Sequence, residues 1–307
     1  MKLSLFSTLR GYRKEYLLKD IFSGIIIAAV SIPISMGYAQ ISGIPAVYGL
    51  YGSVLPILLF ALFSTSRQFI FGVDAAPAAI VGGALSTLGI AAESEAAMDY
   101  VPAIALFAGL WLFVFFLLHA DKIVDFISTP VMGGFITGIC TTIILMQLPK
   151  LFGGSAGTGE LPELLLHLWE ALPDANLASL GIGVAALIIL LVAKKVMPKF
   201  PMAVVLMAAG AFLFKNTQMQ QWGIATLSAV EPGLPRWSVP HFSAIPFVDV
   251  MTISLSVAVV IMAETLLAEN SFAQKNGYRI DDNREILAFS MGNFVAAFTG
   301  CCPMNGS

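Results

Sequence analysis

Two carboxylates stand inside apolar stretches of this chain. Asp74 lies in Phe71-Gly-Val-Asp-Ala-Ala-Pro77, three residues before a proline, and Glu264 lies within an apolar run from Val248 to Leu267. A charged side chain at membrane depth costs about 3 kcal/mol or more, so each such residue calls for a role. Asp74 admits two: its carboxylate can cap the unpaired N–H groups of a helix start, or it can serve an anion site. A carboxylate beside an anion site must be neutralised by a proton or a cation before the anion enters without repulsion, and co-transport arises from that requirement. Glu264 admits the same coupling role, or a structural hydrogen bond to a neighbouring span. Glu269, five residues further on, falls on a different helical face and reads as interfacial, while Asp249, at the start of the run, reads as a cap.

Two Gly- and Pro-interrupted segments have the character of broken helices, whose free N–H groups and dipoles attract anions. They are Phe71 to Pro77 and Gly300-Cys-Cys-Pro-Met-Asn-Gly-Ser307. The competing reading is packing, since Gly and Pro are common in membrane helices. Packing also explains Gly133, Gly134 and Gly138 as points of close helix contact, while Asn293 and Thr299 read as hydrogen bonds between spans. Tyr38 either stacks and hydrogen-bonds at a site or fills a gap between helices. Arg67 reads as an anchor at the membrane boundary, with contact to a departing substrate as its alternative. His119, His167 and His241 occur singly, without metal-ligand spacing or a partner nucleophile, and carry no chemistry. The same absence of a nucleophile–base pair argues against an enzyme. Cys140, Cys301 and Cys302 form no disulfide framework and read as reduced packing residues.

The elements that hold these residues follow from composition. With 58% hydrophobic and 11% charged residues over 307, too little polar surface exists to cover a soluble globule. Apolar runs place spans near Ile21 to Ala39, Val47 to Ser64, Ala76 to Ile90, Val101 to Leu118, Pro130 to Leu148, Leu177 to Val196, Pro201 to Phe214, Val248 to Leu267 and Ile286 to Thr299, with a tenth starting at Pro303. Placing the N-terminus in the cytoplasm puts 13 of the 16 Lys and Arg residues on that side, in accord with the positive-inside rule. Glu160 to Ala171 reads as an amphipathic helix on the outer surface. Thr217 to Pro246, rich in Pro, Trp, Ser and Gly, reads as an irregular or strand-like outer cover. No cleaved signal peptide is expected, and the scattered basic residues exclude a nucleic-acid face.

The stretch PISMGYAQISGIPAVYGLYGSVLPILLFALFSTSRQFIFG, Pro33 to Gly72, resembles the signature of the SulP, or solute-carrier-26, family of anion permeases. Its parts are a PxGMAYA-like helix, a GLYxxxxP helix and a GTSRH-like turn. A second block, Ala263 to Tyr278 through Asn283-Arg-Glu285 and Gly292-Asn293 to Pro303–Ser307, resembles the family's eighth to tenth spans in order and spacing. The resemblance implies an all-α polytopic membrane protein, the first part of a 7+7 inverted-repeat transporter fold. About nine spans are complete and a tenth begins. Residues 1–307 then form an incomplete SulP-type transmembrane domain without its last spans or a STAS domain.

The same resemblance implies a substrate site between the N-termini of spans three and ten. Ala75, Ala76 and Pro77 would line one side, Gly306 and Ser307 the other, with Tyr38 flanking them. Glu264 matches the acidic residue that the family carries on its eighth span, and with Asp74 it becomes the coupling pair. Ile34 departs from the pattern, standing where many members carry Gln. The expected function is secondary active transport of a small anion (sulphate, bicarbonate or a dicarboxylate) by alternating access, coupled to protons or sodium. The expected setting is a bacterial-type inner membrane, with a homodimer among the assemblies and no cofactor. A nucleobase permease of the same architecture and a non-transporting membrane fragment are the rivals.

Overall fold

The computed structural model describes residues 12–124, 129–157, 161–197, 200–224, 226, 233–234, 237, 239–240 and 246–306. The helices among them are α1 (Leu17–Ile41), α2 (Ala46–Gly52), α3 (Leu55–Phe63), α4 (Ala75–Thr87), α5 (Glu95–Leu118), α6 (Asp121–Val124), α7 (Thr129–Gln147), α8 (Leu161–Ala171), α9 (Leu177–Val196), α10 (Met202–Asn216), α11 (Phe247–Lys275) and α12 (Asp282–Phe298). Strands β1 (Phe71–Gly72) and β2 (Asn305–Gly306) complete the regular elements. Five helical stretches are long and apolar enough to cross a membrane: Lys14–Ile41, Ala46–Phe63, Glu95–Leu118, Leu177–Val196 and Phe247–Lys275. Shorter apolar helices lie at Ala75–Thr87, Cys140–Phe152 and Met202–Asn216.

Contacts divide the chain into two compact units. The first comprises Met1–Tyr16, Ser35–Cys140 and Glu231–Ser307, the second Leu17–Ile34 and Thr141–Val230. In the first unit α5 packs along α12 and α11. Small residues make that possible. A Cβ on Gly109 would lie 3.2 Å from the Phe294 nitrogen and from the Ser290 carbonyl, so the two backbones approach as closely as glycine permits. Ser290 uses the approach to donate its hydroxyl to the Gly109 carbonyl at 2.8 Å. Next to this seam the rings of Phe60, Phe71 and Phe289 lie near-parallel, with Phe60 and Phe71 4.9 Å apart, and Gly292 leaves room for Phe71.

The expected second span is broken. α2 ends at Gly52 and α3 starts at Leu55 with Pro56 in its first turn, where a missing N–H costs nothing. Ser53, in the break, bonds Ser35 of α1 hydroxyl to hydroxyl at 2.7 Å. α1 ends at Ile41, and Gly43 beyond it, with φ of +83°, turns the chain so that Ile44 donates to the Ala39 carbonyl at 3.1 Å.

The second unit includes α9, started by Asn176, which accepts from the Ala178 and Ser179 amides at 2.9 and 3.0 Å. α9 lies on the 3₁₀ turn Leu148–Phe152, and Gly183 fits against Leu151. Its other faces expose Leu177, Leu187, Ile188, Leu191 and Val192, an apolar surface suited to lipid. The surface helix is α8: Leu164 is buried, while Leu161, Leu165 and Trp169 are exposed.

Several expectations need correcting. Pro246 is the residue preceding α11, and Asp249 sits within its first turn instead of capping it. Thr299 donates to the Val295 and Ala296 carbonyls of its own helix, so it links no second span. A Cβ added to Gly133, Gly134 or Gly138 meets nothing within 4 Å among the described residues, so these glycines make no close contact there. In the outer stretch expected to be irregular, Gln218–Trp222 form a 3₁₀ turn. Most of 225–245, including His241, lies outside the described residues.

Candidate functional site

β1 and β2 meet antiparallel, Phe71 opposite Gly306 and Gly72 opposite Asn305. The two Gly/Pro-interrupted segments, more than 200 residues apart in sequence, are thereby joined ahead of α4. Gly306 is required by the approach: a Cβ there would overlap the Phe69 ring. Upstream, α12 closes at Gly300, with φ of +72°, and the Cys301 amide returns to the Ala296 carbonyl at 2.9 Å. Asn293 then orients the extended segment, accepting from the Met304 amide at 2.8 Å and donating to the Met304 carbonyl at 3.1 Å. Cys301 and Cys302 are buried with sulfurs 4.0 Å apart, free thiols that pack this turn.

Asn305 sits at the centre of the site. Its Nδ2 donates to Glu264 Oε2 at 2.9 Å and lies 3.4 Å from Asp74 Oδ2, while its Oδ1 accepts from the Thr265 hydroxyl. The amide orientation is over-determined, because reversing it would turn a carbonyl oxygen toward two carboxylates. At these distances Glu264 is the stronger partner and Asp74 the weaker. No Lys or Arg among the described residues forms an ion pair with either acid. The Tyr38 ring packs at the edge of the core, half-buried, with its hydroxyl in electrostatic range of both Asp74 and Glu264.

Asp74 occupies the position before α4 with extended backbone; its carboxylate interacts with the adjacent Ala75 amide, makes no cap bond further into the helix, and turns to Asn305. Pro77 removes one donor from the first turn, and Ala78 is already bonded to the Asp74 carbonyl at 3.3 Å. That leaves Ala75 and Ala76 as the amides of α4 without a helical acceptor. Ala76 and Pro77 are buried and Ala75 is half-buried. The structure therefore brings together Tyr38, Asp74, Ala75, Ala76, Pro77, Glu264 and Gly306 in one unit, while Ser307 lies outside the described residues.

A second polar cluster ties the turn after α3 to the start of α12. Glu285, fully buried, accepts from the Ser64 hydroxyl at 2.7 Å and from both the amide and hydroxyl of Thr65. Arg284 donates Nε to the Phe63 carbonyl at 2.7 Å, and Asp281 opens α12 by accepting from the Arg284 amide at 3.2 Å. Arg67 is exposed beside this cluster, 5.8 Å from the Tyr278 ring centre, and takes no part in the Asn305 site.

Glu269 overturns its interfacial reading: its exposure is 0%. Its face does differ from that of Glu264, but it is the face bearing Val257, Ala258, Ile261, Met262, Thr265, Leu266 and Ala273, all buried. The i, i+3, i+4 spacing of that stripe was the signal in the sequence. Asn305 and Thr265 were missed for a different reason, since neutral side chains gain their meaning only once the chain returns to α11.

The residues 17–307 match the model of the sulfate permease family. The chain is 28% identical to sulfate transporter 2.2 of Arabidopsis thaliana, over 97% of this chain and 46% of the relative. It is 26% identical to prestin of Danio rerio, over 93% of this chain and 42% of the relative. It thus spans less than half the length of these two relatives. The fold is similar to a structure of murine solute carrier 26 family member A9, described as an anion transporter in the inward-facing state. That likeness has a TM-score of 0.86 and 20% identity, covering 98% of this chain and 53% of the other. The family match, which runs from residue 17 to residue 307, leads to one assignment: this chain belongs to the sulfate permease family.

Proposed function

We propose that the chain is the front part of a secondary active transporter that carries a small anion across a membrane. The observation that carries this reading is the convergence of Asp74 and Glu264 on one Asn305 amide beside the amides of Ala75 and Ala76. The helix start offers N–H donors and a positive dipole end to an anion. The two carboxylates oppose it. An anion binds only when their charge is compensated, so a proton or a sodium ion enters with it, and coupling follows from electrostatics.

In this reading Tyr38, Ala75, Ala76, Pro77, Gly306 and Ser307 surround the anion, and Asp74 and Glu264 hold the co-ion. Nine spans and the start of a tenth belong to two inverted seven-span repeats, and motion between the repeats alternates access. The excess of Lys and Arg on one side of the spans supports a cytoplasmic N-terminus; a bacterial-type inner membrane is the setting of this reading, and a homodimer its assembly. Sulphate, bicarbonate and dicarboxylates are the candidate cargoes; the name of the plant relative favours sulphate first. Uptake of labelled sulphate, bicarbonate and succinate by vesicles holding the whole protein tests the reading. Saturable uptake of one of them, raised by an inward proton or sodium gradient, is expected.

A further inference from the structure

Glu269 is a fully buried acid that the anion site does not use. It lies on the inward stripe of α11, one turn after Thr265 and one turn before Ala273, and neither of its carboxylate oxygens has a hydrogen-bond donor among the described residues. The charges that act on it come from Glu285 and Asp282 of α12, both of its own sign. Those two are already engaged, Glu285 by Ser64 and Thr65 and Asp282 by the Asn270 amide at 2.8 Å.

The nearby cations are turned elsewhere. On α12, Arg284 gives Nε to the Phe63 carbonyl. Before β1, Arg67 is exposed over Tyr278. On α6, Lys122 is exposed and Asp121 adds a further acid; on α11 itself, Lys275 is exposed and Glu264 belongs to the Asn305 site. A buried carboxylate without protein donors or a cation is not kept ionised in a protein interior. No group of three or more acidic, His or Cys side chains among the described residues has the arrangement to hold a metal ion.

We propose that Glu269 is a proton-binding site, held as the neutral acid when α11 is packed on α12, and distinct from the anion site. The proton converts an orphaned pair of acceptors into a donor with acidic neighbours, and removes a third negative charge from the junction of the two helices. Packing there becomes sensitive to pH. Ionisation of Glu269 would put an uncompensated charge into the α11–α12 junction, so stability falls as that proton is lost.

The test uses the purified full-length protein and its Glu269→Gln and Glu269→Met variants. Infrared spectra should show a carboxylic-acid C=O band that both variants lose and that Glu264→Gln leaves in place, and both should show a flatter fall of Tm with rising pH. A wild-type spectrum unchanged by either substitution would overturn the proposal. So would a Tm raised by sodium in the wild type but not in the variants, which would mean a cation site. If neither variant folds, the proposal also fails, because a neutral acid tolerates a neutral replacement of similar size.

Discussion

The amide of Asn305 bonds Glu264 at 2.9 Å from a segment that follows α12, so the residue that closes the site arrives about 40 positions after the acid it serves. Replacing Asn305 by Ala should remove the shared donor, leave two carboxylates facing one another, and cost roughly 1–3 kcal/mol of stability. Replacing it by Asp should add a third negative charge and abolish anion uptake while the protein still reaches the membrane. Uptake and thermal unfolding of the two variants check this; wild-type uptake by Asn305→Asp would remove Asn305 from the site.

Glu264→Gln should fix the acid in a neutral state. Anion exchange between equal pools is expected to persist while gradient-driven accumulation is lost. Accumulation at the wild-type level would take Glu264 out of coupling.

The α5–α12 seam is tight at Gly109, where a Cβ would lie 3.1–3.2 Å from Phe294 and Ser290. Gly109→Val should overpack it and destabilise the protein by about 1–3 kcal/mol, read as a lower Tm in detergent. Gly133→Val, on open surface, is the control and should leave Tm near the wild-type value.

Ser64→Ala removes one of the donors that hold the buried Glu285. A hydrogen bond to a charged group is worth about 1.5–3 kcal/mol, so a clear loss of stability is expected, larger still in the double variant with Thr65→Val. Unchanged unfolding in both variants would show that the turn after α3 does not anchor α12.

Much of this is legible in the sequence. Apolar runs gave α1, α9 and α11 to within a few residues, except that α11 continues past Leu267 to Lys275. Glycine and proline marked both broken segments, because those residues signal backbone exceptions locally. Pairing was not legible: nothing at Gly72 announces Asn305 as its partner, and a two-residue ladder has no periodicity to read. Glu269 was misread because a charge near a helix end is usually solvated, whereas here the stripe on which it falls runs on to Ala273. The bond of Asp74 to Asn305 was hidden for a related reason, since the donor comes from the far end of the chain.

The central claim is that charge compensation at Asp74 and Glu264 admits an anion to the α4 start. The most direct measurement is uptake of labelled anion by proteoliposomes containing the whole protein, with and without an inward proton or sodium gradient. The account predicts accumulation above equilibrium that requires one of these gradients and vanishes in Glu264→Gln. Uptake of no anion under any imposed gradient, or accumulation indifferent to both co-ions, would contradict it.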